Sequence, residues 1–263
     1  MIEFLLSLPL WALAVVLNVW LIGFGLASRW ALRRWLMPRL SINNDASLIF
    51  AAAVMQSVMV LYSLVAALTA VSVWSRHSQV SEIVSSEATV IGSVWRDLGG
   101  YPQRERDSLR EMLRGYTTQV IDVAWPEHRK ARVPLKGSEW LDRFQAQLLA
   151  FEPQSESQKV LHAQTLAAYS RMVEARRMRV DAVDTGLPKV MWFVLLPGAM
   201  GCVLLCLFFP IEDSLFQAIL VSGIAGFLAM VLFVIISLDR PFQGAMAISP
   251  DSYERVRDQL MKR

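Results

Sequence analysis

The side chains able to do chemistry in this chain of 263 residues are few and scattered. Three histidines, His77, His128 and His162, stand far apart with no carboxylate or cysteine at metal-ligand spacing, and they read as surface residues. Cys202 and Cys206 lie on one face of an apolar helical run. A disulfide there would be strained, and two thiols without a histidine make a poor metal site. They read as small apolar filler. No G-x-S-x-G, H-E-x-x-H or glycine-rich phosphate loop occurs, and Gly99-Gly100 runs into Tyr101-Pro102 as a turn would. The expectation is a protein that is not an enzyme and carries neither cofactor nor metal.

Three charged groups remain. Arg104, Glu105, Arg106, Asp107, Arg110, Glu111 and Arg114 alternate in sign, as the wet face of a helix does. Arg176, Arg177 and Arg179 cluster ahead of an apolar run. They fit either a grip on lipid headgroups or permeant anions, or a solvated helix end. The third group is a box, Leu238-Asp239-Arg240-Pro241-Phe242-Gln243-Gly244. It lacks the carboxylates of a calcium site and any nucleophile–base pair. As an exit from a membrane it makes sense. Asp239 and Arg240 would be hydrated at the interface and pair, Pro241 ends the helix, and Gly244 allows a tight turn. Ser249, Pro250 and Asp251 then have the types for a cap, a first helical position and a first-turn acid, opening a short amphipathic helix.

The elements that must position these groups follow from composition. The chain is 54% hydrophobic and 19% charged, with a mean hydropathy of +0.39. Four uncharged apolar runs, Phe4–Ala27, Ser47–Trp74, Val190–Phe209 and Leu215–Leu238, are long enough to cross a bilayer at about 1.5 Å per residue. Between the second and third runs lies a polar stretch whose apolar residues recur at three/four spacing. Stripes run through Val80–Leu98, Leu109–Val120, Trp140–Phe151, and Val160 to the arginine cluster, with breaks at Gly99–Pro102, Trp125–Pro134 and Glu152–Ser155. The fold class is therefore all-α, with four transmembrane helices and a large helical insertion between helices 2 and 3. The divisions fall at 1–74 (first transmembrane hairpin), 75–189 (extramembrane insertion), 190–238 (second hairpin) and 239–263 (exit box and terminal amphipathic helix). An even number of crossings puts both ends and the insertion on one side. The charge asymmetry of the links conflicts and leaves that side open. A net charge of +3 with no basic run does not suggest nucleic acid.

Within the runs, polar residues are rare. Gln56 and Ser63, with Met59 and Ala67, form a small, weakly polar stripe on the second span. Such a stripe either packs helices closely or lines a narrow, largely apolar pore.

The chain resembles bacterial membrane proteins whose domain is called bestrophin-like. The resemblance rests on Trp125-Pro126, Arg177 through Leu187-Pro188, Trp192, and above all Leu238-Asp239-Arg240-Pro241-Phe242-x-Gly244 followed by Ser249-Pro250. It implies a likeness to bestrophins, pentameric chloride channels whose second span lines the pore. Gln56, Met59, Ser63 and Ala67 would then face the axis, in a homo-oligomer of the bacterial inner membrane conducting small anions such as chloride, with the insertion on the cytoplasmic side. Where bestrophins continue the box into a calcium-clasping acidic run, this chain continues Ala245-Met246-Ala247-Ile248, so calcium gating is not implied. The alternative is a non-conducting scaffold or stress sensor whose insertion binds a partner.

Overall fold

The computed structural model describes residues 8–36, 45–134, 139–208 and 213–261. Among them the regular structure is entirely helical: α1 (Leu10–Ala31), α2 (Asp45–Asp97), α3 (Gln103–Gln119), α4 (Trp125–His128), α5 (Glu139–Leu149), α6 (Glu156–Asp181), α7 (Lys189–Cys206), α8 (Ser214–Asp239) and α9 (Asp251–Gln259). Four of these, α1, α2, α7 and α8, are long and apolar enough to cross a membrane. The protein is a multi-pass membrane protein. The expected starts at Phe4–Ser7 and the end at Phe209 lie outside the described residues.

Two compact units share the chain. One comprises 1–75, 186–239 and 244–246; the other comprises 76–185, 240–243 and 247–263. In the first, α1 packs chiefly on α8, and Leu13, Leu17, Leu21, Leu195, Ala199, Val221, Ala225 and Ala229 are buried. Span two contributes a narrower stripe of Tyr62, Ala66, Thr69 and Val73, at the four-three-four spacing of one helical face. It comes close to α7 at Gly198. A Cβ on Gly198 would stand 2.6 Å from the Tyr62 ring, so only glycine admits that ring. The Tyr62 hydroxyl donates to the Leu195 carbonyl at 3.1 Å, two residues before Pro197, which interrupts the ladder of α7.

In the second unit, the buried stripe Val80, Val84, Ala88, Ile91, Val94, Trp95 and Leu98 meets Leu109, Leu113 and Tyr116 of α3 and Leu141, Phe144 and Leu148 of α5. Burying each large aliphatic side chain stabilises by about 1.5–3 kcal/mol. Helix α2 runs on past its apolar run to Asp97, because nothing stops it. The stretch has no proline, and its single glycine, Gly92, is interior. One local expectation changes here: Trp125-Pro126 fails to break the helix before it. A π turn over Val120–Ala124 lets the Trp125 N–H reach the Val120 carbonyl, and this shift of register accommodates a proline that has no N–H to give. The expected break survives only beyond His128. The turns at Leu98–Gly100 and before Ser155 fall where expected, and Ser155 caps α6 by accepting from the Gln158 N–H.

Candidate functional site

Span two carries the residues singled out from the sequence. Gln56, Met59 and Ser63 line a groove of about 600 Å³ together with Ala52, Met55, Tyr62 and Cys202, closed on the other side by Gly223, Ile224, Phe227 and Leu228 of α8. Ala67 is exposed but is not among the groove residues. Ser63 satisfies its hydroxyl within its own helix by donating to the Val60 carbonyl at 2.9 Å. The Gln56 amide is exposed and makes no hydrogen bond among the described residues. Cys202 and Cys206 are free and buried, and the Cys206 thiol donates to the Cys202 carbonyl.

The box at the end of α8 redirects the chain, but not through the expected pair. Asp239 is buried, and its Oδ1 accepts from the Leu187 N–H at 2.6 Å. Arg240 instead meets Asp184 at 3.2 Å. Both charges therefore bond the stretch of chain that precedes α7. Gly244 has a φ of 78°, the left-handed conformation its position in the turn requires. Helix α9 begins one residue later than expected: Pro250 occupies the cap position, and Ser249 makes no cap. Phe242 packs edge-on against Trp125 with ring centroids 5.5 Å apart.

A cluster not expected from the sequence sits in the second unit. Arg179, placed with Arg176 and Arg177 as a candidate anion or headgroup ligand, is only 2% exposed. It forks onto Glu87, itself fully buried, with Nε to Oε2 at 2.7 Å and a second N–H to Oε1 at 3.3 Å. The Tyr116 hydroxyl donates to the same carboxylate at 2.6 Å. The guanidinium lies 5.9 Å from the Trp125 ring and 5.9 Å from the Tyr253 ring. Burial works against the charge on Arg179, but Glu87 outweighs it and holds the guanidinium well above its ordinary range. Arg176 borders a small cavity of about 20 Å³ beside the cluster, whereas Arg177 does not. The signal that would have found this cluster is a charge on an apolar stripe. Glu87 continues Val80 and Val84 towards Ile91, and Arg179 continues Ala168, Met172 and Ala175.

His128, expected at the surface, is buried in the same cluster, with its Nδ1 3.4 Å from an Arg179 nitrogen. A neutral ring accepting at Nδ1 suits that contact. Burial, then Arg179 and Arg176, push its pKa down to about 3. In the unfolded chain the ring would take a proton near about 6.5. The unfolded state thus binds the extra proton between those values, and stability falls as pH drops through that window, by up to about 1.4 kcal/mol per pH unit. Thermal unfolding of wild type and His128→Asn between pH 7 and pH 4 checks this. The wild type is expected to lose more stability on acidification than the variant.

Among the described residues no group of three or more His, Cys, Asp and Glu side chains gathers as a metal site would. His162 accepts or donates at 2.8 Å to the Tyr101 hydroxyl, and Arg110 and Arg114 stack over Trp95 at 4.8 and 5.6 Å instead of lying wholly in solvent.

The profile of the Bestrophin-like domain matches residues 19–253. The chain belongs to the bestrophin-like domain family. Comparison with curated proteins and with solved structures returned no match. The bestrophin-like domain thus takes in α2 with the groove, the Glu87–Arg179 cluster, and the exit box as far as Tyr253.

Proposed function

We propose that this bestrophin-like protein assembles with copies of itself, as a pentamer, into a channel for small anions in the bacterial inner membrane. Span two surrounds the axis, and Gln56, Met59, Ser63 and Ala67 face it. The observation that carries this reading is the Gln56 amide, a polar group on a membrane span with no partner inside its own chain. Leaving an amide in hydrocarbon costs about 2–7 kcal/mol, so a helix that bears one turns it towards water or towards another polar group. The exposure of span two supports the same view. Only 11% of its apolar stretch is buried within the chain, against 33% for α7 and for α8. A helix so little covered is built to be covered by something else. The family likeness supplies the ion class and the cytoplasmic placement of the insertion. Reporter fusions after Lys130 test that placement.

The groove favours one rival role for Gln56. An amide in a cleft lined by α8 suits a hydrogen bond across subunits as well as a wet axis. Mass measurement in detergent and single-channel recording in chloride salts, on wild type and Gln56→Leu, separate the two. The pore reading expects a homo-oligomer with anion current, whose unit conductance changes in Gln56→Leu while the mass holds. The interface reading expects the variant to lose mass. A monomeric or silent wild type overturns the proposal, and a silent oligomer that copurifies with a partner is what a scaffold would give.

A further inference from the structure

The groove beside span two holds a chemistry that conduction does not use. Three of its lining side chains carry sulfur: Met55 and Met59 of α2, and Cys202 of α7. Met55 and Met59 are four apart and share one helical face. The contact of α2 with α7 sets Cys202 beside that face. Helix α2 leads into the second unit and α7 leads out of it, so within the first unit they run in opposite directions. They meet where the Tyr62 ring lies against Gly198. One turn back from Tyr62 stands Met59, and one turn on from Gly198 stands Cys202, so both fall on the same side of that contact. Cys202 is held in a packed helix, whereas each methionine has three rotatable bonds with which to bring its thioether to the thiol.

The two cysteines differ in what their thiols do. Cys206 donates to the Cys202 carbonyl, 3.2 Å away, while the Cys202 thiol donates no hydrogen bond among the described residues. No carboxylate or imidazole is among the groove residues. Two thioethers and a thiol are a soft set, which selects a soft ion such as copper(I) over magnesium or calcium. Charge narrows the choice further. The opposite wall, Ile224, Phe227 and Leu228, belongs to an apolar run with no ionised residue, where a net charge is costly. On binding, the Sγ–H bond of Cys202 breaks as a copper–sulfur bond forms, the proton passes to the solution, and no electron moves. Thiolate and monovalent ion then cancel, and the thioethers add no charge. A divalent ion such as zinc(II) would leave a positive charge uncompensated in hydrocarbon. We infer that Met55, Met59 and Cys202 form a binding site for copper(I). The inference rests neither on conduction nor on assembly with other copies.

The test titrates the full chain, in detergent and under anaerobic reducing conditions, with copper(I) buffered by a competing chelator. The wild type is expected to take up a single ion per chain, to release a proton as it does so, and to gain the ultraviolet charge-transfer band of a copper–thiolate bond. Cys202→Ala should abolish the band and the binding, and Cys206→Ala should keep both. Met55→Leu and Met59→Leu conserve volume and so leave the helix packing in place. Each should weaken binding by at least about tenfold, the loss that follows removal of even an outer partner of a metal ligand. Zinc(II) should not compete. Copper(I) binding that is absent from the wild type, kept in Cys202→Ala, lost in Cys206→Ala, unchanged in either methionine variant or displaced by an equal concentration of zinc(II) would each overturn the inference.

Discussion

Arg179→Met should lower the stability of the second unit by about 3–5 kcal/mol, the usual cost of removing one partner from a buried ion pair. The reason is what remains. Glu87, fully buried, would keep a single donor, the Tyr116 hydroxyl at 2.6 Å, and no countercharge. His128 would lose its contact with the guanidinium, and the Trp125 and Tyr253 rings would lose the cation between them. Removing both charges together is a different experiment. A Glu87→Gln, Arg179→Met double variant leaves no orphaned charge, and buried pairs replaced by well-packed neutral residues are often neutral to stability. The double variant should therefore recover much of the loss. Chemical unfolding in detergent, followed by tryptophan fluorescence, measures the cycle. A single variant as stable as wild type would mean that water reaches Glu87, contrary to its burial.

Trp125→Ala is expected to cost about as much, roughly 3–5 kcal/mol for truncating a large buried aromatic. Its ring lies 5.5 Å from Phe242, 5.5 Å from Tyr253 and 6.0 Å from His128, and its Nε1 donates to the Ile248 carbonyl at 3.1 Å. It thus fastens the segment after the exit box to the helices that precede it within the same unit. Trp125→Phe keeps a ring but leaves the Ile248 carbonyl without that donor, at about 1–3 kcal/mol. The order wild type, Phe, Ala should appear both in unfolding midpoints and in the rate at which protease releases residues 247–261. If Phe and Ala behaved alike, the indole hydrogen bond rather than the packing would be what holds the segment.

The residues show where sequence reasoning reaches and where it stops. The apolar runs were legible because a bilayer demands uncharged length, and length is a local property. Gly244 was legible because a proline three residues before it leaves few other ways to turn. The continuation of α2 was not, since a span and the helix that extends it differ in polarity but not in backbone, and no residue marks the boundary. Glu87 and Arg179 stand 92 positions apart, and their pairing depends on α2 and α6 meeting in the core. Each alone looks like an ordinary surface charge until its stripe is traced. Asp239 illustrates a third case. The sequence placed it next to an arginine, and adjacency suggested a pair. It accepts from a backbone N–H, that of Leu187, which no side-chain pattern announces. For the groove, the sequence picked out Gln56 and Ser63 on span two, but Phe227 and Gly223 opposite them come from a helix about 160 positions later, beyond the reach of any spacing rule.

The second unit is assembled from pieces that leave the ribosome far apart in time. Residues 76–185 emerge first, yet Phe242 and Tyr253, which flank Trp125, lie beyond two membrane helices. Until those spans have been threaded into the bilayer, the pocket around Trp125 and Arg179 lacks two of its walls. Completion of that unit therefore waits on membrane insertion, and a chain stalled before α8 would present an open, half-built core to chaperones and proteases.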